Sequence, residues 1–303
     1  MEIPFYKMHI GGNGFLLIDL TRVPRLAGLE AVSLYPEVSR IMCGHRYGVG
    51  AAGCIFLAPD NGIRFFSHQG KETDYSGDAL LCAARYAFDS GRITRNQAGT
   101  ENLILFRTLK GEISLRIIGA HEFSLCLGSP FSALTGAVIT PESMGMTEVI
   151  DVGDRAVRAA AVHIHEDVIA VFPGSAEGTE LKELAKALRG HFKGRPVHIV
   201  MVRTITRETL VIRTADAGMS ASCAAAAAAV ILCAVSGLSD KNAVAVFSHR
   251  APEAAVVPEA DPDNSRRLAV LWDTEKNELT VIGTGGYLFE GTFVIPDGQG
   301  EAE

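Results

Sequence analysis

The chain has 303 residues, 48% of them hydrophobic and 21% charged, which is enough apolar material for two packed cores. Its net charge of −7 and pI near 5.7 exclude the basic field of a general nucleic-acid binder. No stretch is apolar enough for long enough to span a bilayer, and the start Met1-Glu2-Ile3-Pro4-Phe5 lacks the regions of a secretion signal, so a cytoplasmic protein with no membrane partner is expected.

Phe5–Asp19 reads as two apolar strands around the turn Gly11-Gly12-Asn13-Gly14. A short helix follows around Ala31–Cys43. His45–Gly50 is a loop entering a strand at Cys54–Leu57; its glycines carry no nucleotide reading, because no strand-turn-helix unit follows them. Ile63–Ser67 reads as a strand and His68–Lys71 as a turn. A helix then runs from Ser76 to a stop at Ser90-Gly91. Leu103–Phe106 and Glu112–Ile118 form a hairpin around Lys110-Gly111. Phe123–Leu127 is a strand, and Gly128–Met146 is turn-rich, as a linker would be. Strands resume at Ala156–Ile164 and Val168–Phe172, followed by an amphipathic helix at Glu180–Arg189. Val197–Arg203, Thr209–Arg213, Val244–Phe247, Arg267–Trp272, Leu279–Gly283 and Tyr287–Val294 read as further strands, and Ala254–Asp263 as a surface loop. Many short strands around two central helices predict an α+β architecture of two halves, each a small barrel-like sheet around one buried helix.

The second of those helices organises the reading. Thr214–Gly237 passes from small turn-forming residues into the run Ala224–Ala229 and the apolar tail Val230-Ile231-Leu232-Cys233, then stops at Ser236-Gly237. A helix apolar on every face is buried. Ser220, Ser222 or Cys223 stands at its start, where the dipole and unpaired N–H groups make an anion site. A thiol at that place is expected to have a lowered pKa. The helix beginning at Ser76 repeats the device about half a chain earlier. Either the chain holds two similar halves, or these are two unrelated core helices with similar stops. Of the six cysteines, Cys43, Cys54, Cys82, Cys126 and Cys233 read as small core residues and free thiols, and Cys223 alone sits where chemistry needs one. His163 and His165 fall on one strand face with Asp167 following, but H-x-H lacks a third ligand, so no metal site is expected.

Five stretches, in order over nearly the whole chain, resemble the diaminopimelate epimerase family. Lys7–Phe15 is similar to its K-M-H-G-x-G-N-D-F opening, and His45–Gly50 to its R-x-x-G-I-G loop. Tyr75–Cys82 falls on its C-G-N-G-A-R-C segment, Gly218–Cys223 on its G-E-T-x-A-C segment, and Gly283–Phe293 on its closing strand. The resemblance implies two pseudo-symmetric halves, residues 1–131 with a closing strand near 287–294, and residues 132–286. It implies inversion at an amino-acid α-carbon without a cofactor. Two groups would face each other across the substrate, one taking the α-proton and the other returning one. The small-molecule substrate would be an amino acid or related carboxylate held on the helix N-termini, and the assembly is compatible with a homodimer. Carried over by position, the catalytic pair is Cys223 and Ser76. Substrate contacts fall at Asn13, Ser67, Gly77, Asp78, Ala224 and Ala225, with His165 toward the substrate's distal end; His68 and His198 could line the same cleft.

The chain departs from the pattern within the site. Ser76 stands at the first thiol position, Asp78 and Ala79 replace Asn and Gly, and Ala224-Ala225-Ala226 replaces a Gly-rich run. Thr214-Ala215-Asp216 replaces the segment whose Glu and Arg clamp the substrate, leaving Arg213 displaced. A serine hydroxyl is a far weaker acid than a thiol, so the symmetric two-thiol mechanism is not expected. An asymmetric Cys/Ser epimerase, a one-base lyase or isomerase, and a silent homologue that binds a ligand or partner all remain open.

Overall fold

The described parts of the computed structural model are residues 1–28, 30–93, 102–143, 148–152, 155–172, 181–190, 197–215, 221–248 and 264–296. The expected loop Ala254–Asp263 lies outside them, as do Asp216, Gly218, Met219 and Ser220.

β1 (Glu2–Ile10) and β2 (Asn13–Asp19) form a hairpin closed by Gly11 and Gly12, both at positive φ. α1 (Tyr35–Met42) is shorter than expected because Glu30–Leu34 forms a 3-10 turn. β3 (Gly53–Leu57), β4 (Ile63–Ser67) and the short β5 (Glu72–Thr73) lead into α2 (Gly77–Asp89). Ser76 caps α2, its Oγ accepting the Ala79 N–H at 3.1 Å, and Gly91 at φ 71° lets the chain turn away. β6 (Leu103–Thr108) and β7 (Gly111–Ile117) are the expected hairpin, followed by β8 (Phe123–Gly128) and β9 (Phe131–Ser132).

β10 (Glu148–Val152), β11 (Arg155–Ile164) and β12 (Glu166–Val171) precede α3 (Leu181–Gly190). β13 (Val197–Thr206) and β14 (Thr209–Thr214) precede α4 (Ala221–Val235). β15 (Asn242–Phe247), β16 (Arg267–Asp273), β17 (Glu278–Gly283) and β18 (Gly286–Val294) complete the order.

The pairing repeats. β1·β2 is antiparallel, β2·β3 parallel across α1, and β3·β4 antiparallel. β11·β12, β12·β13 and β13·β14 follow the same sequence of senses, with α3 in the crossover. Each series then sends a helix, α2 or α4, ahead of three antiparallel strands. The strands lie in two mixed sheets that run as open paths. One has the order β18-β1-β2-β3-β4-β5. The other has the order β10-β11-β12-β13-β14-β15-β16-β17-β8-β7-β6, with β9 on β11. The series are joined where β8 of the first pairs β17 of the second, Leu125 opposite Val281. β18 returns to pair β1, Glu2 opposite Val294.

α4 is buried at every position from Ala221 to Cys233, as its unbroken apolar composition requires. Alanine methyls let seven strands, β11 to β17, approach it, and one core surrounds both α4 and α2. α2 is seated as closely: a Cβ on Gly285 would lie 2.7 Å from Cys82 Cα, so the loop before β18 can pass there only as glycine. Cys43, Cys54, Cys82 and Cys233 are buried free thiols, but Cys126 is exposed on β8 and is not the core residue expected. It points away from the face that Leu125 and Leu127 bury.

Candidate functional site

The N-terminal ends of α2 and α4 meet at the β1–β2 turn. Gly77, the first residue of α2, makes the approach possible: a Cβ there would lie 3.3 Å from both Cβ and Sγ of Cys223. Ser222 Oγ donates to the Ile10 carbonyl at 2.8 Å, tying the start of α4 to the hairpin.

Asp78, fully buried, joins all three pieces. Its Oδ1 accepts the Cys223 N–H at 2.9 Å; its Oδ2 accepts the Ser222 N–H at 2.9 Å and Asn13 Nδ2 at 2.7 Å. A carboxylate of the chain itself therefore occupies the anion site that the start of α4 creates. Burial raises the Asp78 pKa above the usual carboxylate range, opposed by Asn13, the two backbone donors and the Cys223 thiol.

The thiol does not behave as the sequence led us to expect. Burial pushes the Cys223 pKa well above the ordinary thiol value, and the neighbouring Asp78 charge and its hydrogen bond raise it further. The lowered value expected at a helix start is corrected here: burial dominates, and the N–H groups that would favour a thiolate are donated to Asp78.

Ser76 is fully buried as the cap of α2. Ala224 and Ala225, next to Cys223, are buried in the first turns of α4. Ser67 ends β4, where its Oγ accepts the Lys71 N–H at 3.2 Å, and His68 is exposed in the same turn. The structure thus brings Asn13, Gly77, Asp78 and Cys223 into one junction, with Ser76 beside it and Ser67 in a turn of the first sheet.

The histidines are arranged differently from the expected strand face. β11 ends at Ile164, and His165 sits alone in the turn at φ 61°, so it does not share a face with His163. His163 instead pairs Asp167 at 2.7 Å. His165 stacks on Tyr75 with ring centroids 3.9 Å apart and accepts a hydrogen bond at Nδ1 from Lys110 Nζ at 3.1 Å. Burial first, then the Lys110 charge, lowers the His165 pKa to about 4, so the imidazole is neutral near pH 7. Next to it Glu166 pairs His198 at 3.0 Å. Among the described residues no group of three or more His, Cys, Asp and Glu could hold a metal ion.

Behind the junction a cleft of about 270 Å³ is lined by Gly12, Asn13, Arg213, Ser222 and Phe247. Arg213 is the cation among the described residues that line it. Sequence reasoning passed over Tyr75 and Lys110. Tyr75 immediately precedes Ser76, but nothing in the spacing singles it out, and Lys110 reads only as a hairpin residue.

Two matching strand series, each delivering a helix start to one buried junction, define the epimerase-like isomerase fold. A phenazine biosynthesis protein of the PhzF family from Bacillus anthracis has this fold, with a TM-score of 0.61 at 13% identity, over 97% of this chain and 100% of that one. A hydroxyproline epimerase from Agrobacterium vitis, with bound trans-4-OH-L-proline, has it with a TM-score of 0.60 at 10% identity, over 96% of this chain and 92% of that one. No protein-family model matches the chain. Diaminopimelate epimerase from Desulforapulum autotrophicum is 26% identical over 97% of this chain and 100% of its own length. In sequence the chain is similar to the diaminopimelate epimerases over nearly its whole length, and in fold it is similar to racemase- and epimerase-like proteins.

Proposed function

We propose that the chain moves a proton at the α-carbon of an amino acid or related small carboxylate, without a cofactor. Cys223 is the proton-carrying group and Ser76 serves the opposite face, with residues 1–131 plus the strand near 287–294 forming one wall and residues 132–286 the other. The observation that carries the reading is the Asp78–Cys223 contact at the meeting of the two helix starts. A buried carboxylate and thiol within hydrogen-bond reach titrate as a pair. When the thiol passes its proton to the Asp78 carboxylate, the thiolate is free to take the substrate's α-proton, and the reverse steps return it. Ser76 can return a proton from the other side, which gives inversion, and the proton left on Asp78 then passes back to the Ser76 oxygen by way of solvent when the site opens. Cys223, Asp78 and Ser76 are all shielded from solvent, so substrate access requires the cover of the junction to open while Asp78 stays bonded to the start of α4.

α-Proton exchange into deuterated water, measured over a panel of amino acids that includes diaminopimelate, tests this. Exchange with inversion is expected. Exchange with retained configuration makes Cys223 the only base, and no exchange with any member overturns the proposal. A specific observation favours the alternative that would then stand, a ligand- or partner-binding homologue: Asp78 already fills the donors that a substrate carboxylate would use.

A further inference from the structure

One buried group beside the thiol has no part in the proton transfer described above. Tyr75 is 8% exposed, and its Oη makes no hydrogen bond among the described residues. Burying a hydroxyl without a partner costs about 1–3 kcal/mol. The position is specific: Tyr75 Oη lies 3.4 Å, and Cys223 Sγ 3.3 Å, from the point where Gly77 would carry a Cβ. Hydroxyl and thiol thus converge on one small space that the absence of a side chain at residue 77 keeps open.

The ring is held in place from one face. His165 stacks on it, and Lys110 Nζ lies 5.0 Å from its centroid while bonded to His165. Burial, then the charges of Cys223 and Asp78, raise the phenol pKa, so the group is a fixed neutral donor.

Removing a proton next to a carboxyl group moves negative charge onto the carboxyl oxygens, and catalysis needs donors aimed at them. At the start of α4 the N–H groups of Ser222 and Cys223 are already donated to Asp78. A substrate carboxyl group placed there would meet another carboxylate rather than a donor. We infer that Tyr75 is an oxyanion donor of this site, its hydroxyl donating to a carboxyl oxygen of the substrate as the α-proton leaves for Cys223. The inference rests on the isomerase reading proposed above. It makes the preferred ligand a planar anion with charge spread over two oxygens.

Tyr75→Phe removes the hydroxyl and keeps the ring stacked on His165, and circular dichroism verifies the fold. The probe is propane-2-nitronate, a planar anion whose two oxygens imitate those of a deprotonated carboxylate, titrated calorimetrically. Wild type is expected to bind it at least about tenfold more tightly than Tyr75→Phe, the strength of one hydrogen bond to a charged group. α-Proton exchange should fall about 10²–10³-fold in kcat with KM little changed, as for a donor used in the transition state. Equal nitronate affinity in the two proteins, or no binding to wild type, overturns the role of Tyr75. Exchange that is present and equal in both proteins overturns it while leaving the isomerase reading intact. Tighter nitronate binding by wild type with no exchange on any amino acid upholds Tyr75 as an anion donor and overturns the isomerase reading.

Discussion

The starts of α2 and α4 are equivalent in the repeated order of elements and are finished in opposite ways. α2 is capped locally by Ser76, one residue outside it. α4 has its second and third N–H groups capped by Asp78, which belongs to α2. One helix closes itself, and the other is closed by its counterpart across 145 positions of sequence. A fold with near-symmetric halves therefore presents an asymmetric centre, with a hydroxyl on one side and a thiol coupled to a carboxylate on the other. On the function proposed above, asymmetry of this kind assigns different jobs to the halves: proton abstraction to Cys223, and the return of a proton to the weaker acid Ser76.

Five variants sharpen this comparison, in descending size of effect. Cys223→Ser replaces the thiol by the group already present on the α2 side. If the two sides are unequal, α-proton exchange should fall by a general-base factor of about 10²–10⁴, whereas a small loss would mean that the hydroxyl is as competent a base. Next is Asp78→Ala, which leaves the Ser222 and Cys223 N–H groups without their acceptor. Each buried donor left unpaired costs on the order of 1–3 kcal/mol, to be read from urea unfolding. Removing that charge should also lower the Cys223 pKa, so its alkylation at a fixed pH should accelerate; an unchanged rate would show that Asp78 does not govern the thiol. Asp78→Asn adds a pH test. Because the Asp78 pKa is raised in the fold, its contribution to stability is present below the ordinary carboxylate range and fades as pH climbs through the raised value. The asparagine protein should lack that decline.

Ser76→Ala should cost about 1 kcal/mol for the lost cap, and should suppress inversion more than exchange, because the retained thiol still removes the proton. Loss of both in equal measure would place the hydroxyl on the same side as the thiol. The smallest effect is expected at His165. Its pKa is lowered in the fold to about 4, so its contribution is present above the unfolded value near 6.5 and is lost as pH falls from there to about 4. Melting temperatures of His165→Gln across that window should lack this part of the acid slope.

The helices were legible in the sequence because their signals are local. Ser76, Gly91, Gly237 and the alanine run each act within a turn or two, and the Lys110-Gly111 turn shows in the same way. β10 was not anticipated. It is an edge strand with β11 as its one neighbour, and edge strands leave a faint pattern in sequence. The candidate site at Ser76 and Cys223 came from the resemblance and the repeat, but its electrostatics did not. In sequence Asp78 is an acidic residue in the first turn of its own helix, a common and bland arrangement. Only tertiary packing reveals that it serves the other helix and reverses the expected shift of the thiol. His165 misled for a related reason: the strand period assumed there breaks at a single left-handed residue.

The return of β18 to β1 governs how the chain must be made. The Ile295 N–H also bonds to the Met1 carbonyl, so the first sheet cannot be completed until residues near 290 have left the ribosome. β1 therefore waits with one edge unpaired until β18 emerges, and an unpaired edge invites strand addition by other chains. β1 carries Lys7, and charge of that kind discourages such pairing. Refolding of the intact chain, which must close a loop of this length, should be slow beside that of a helical protein of similar size.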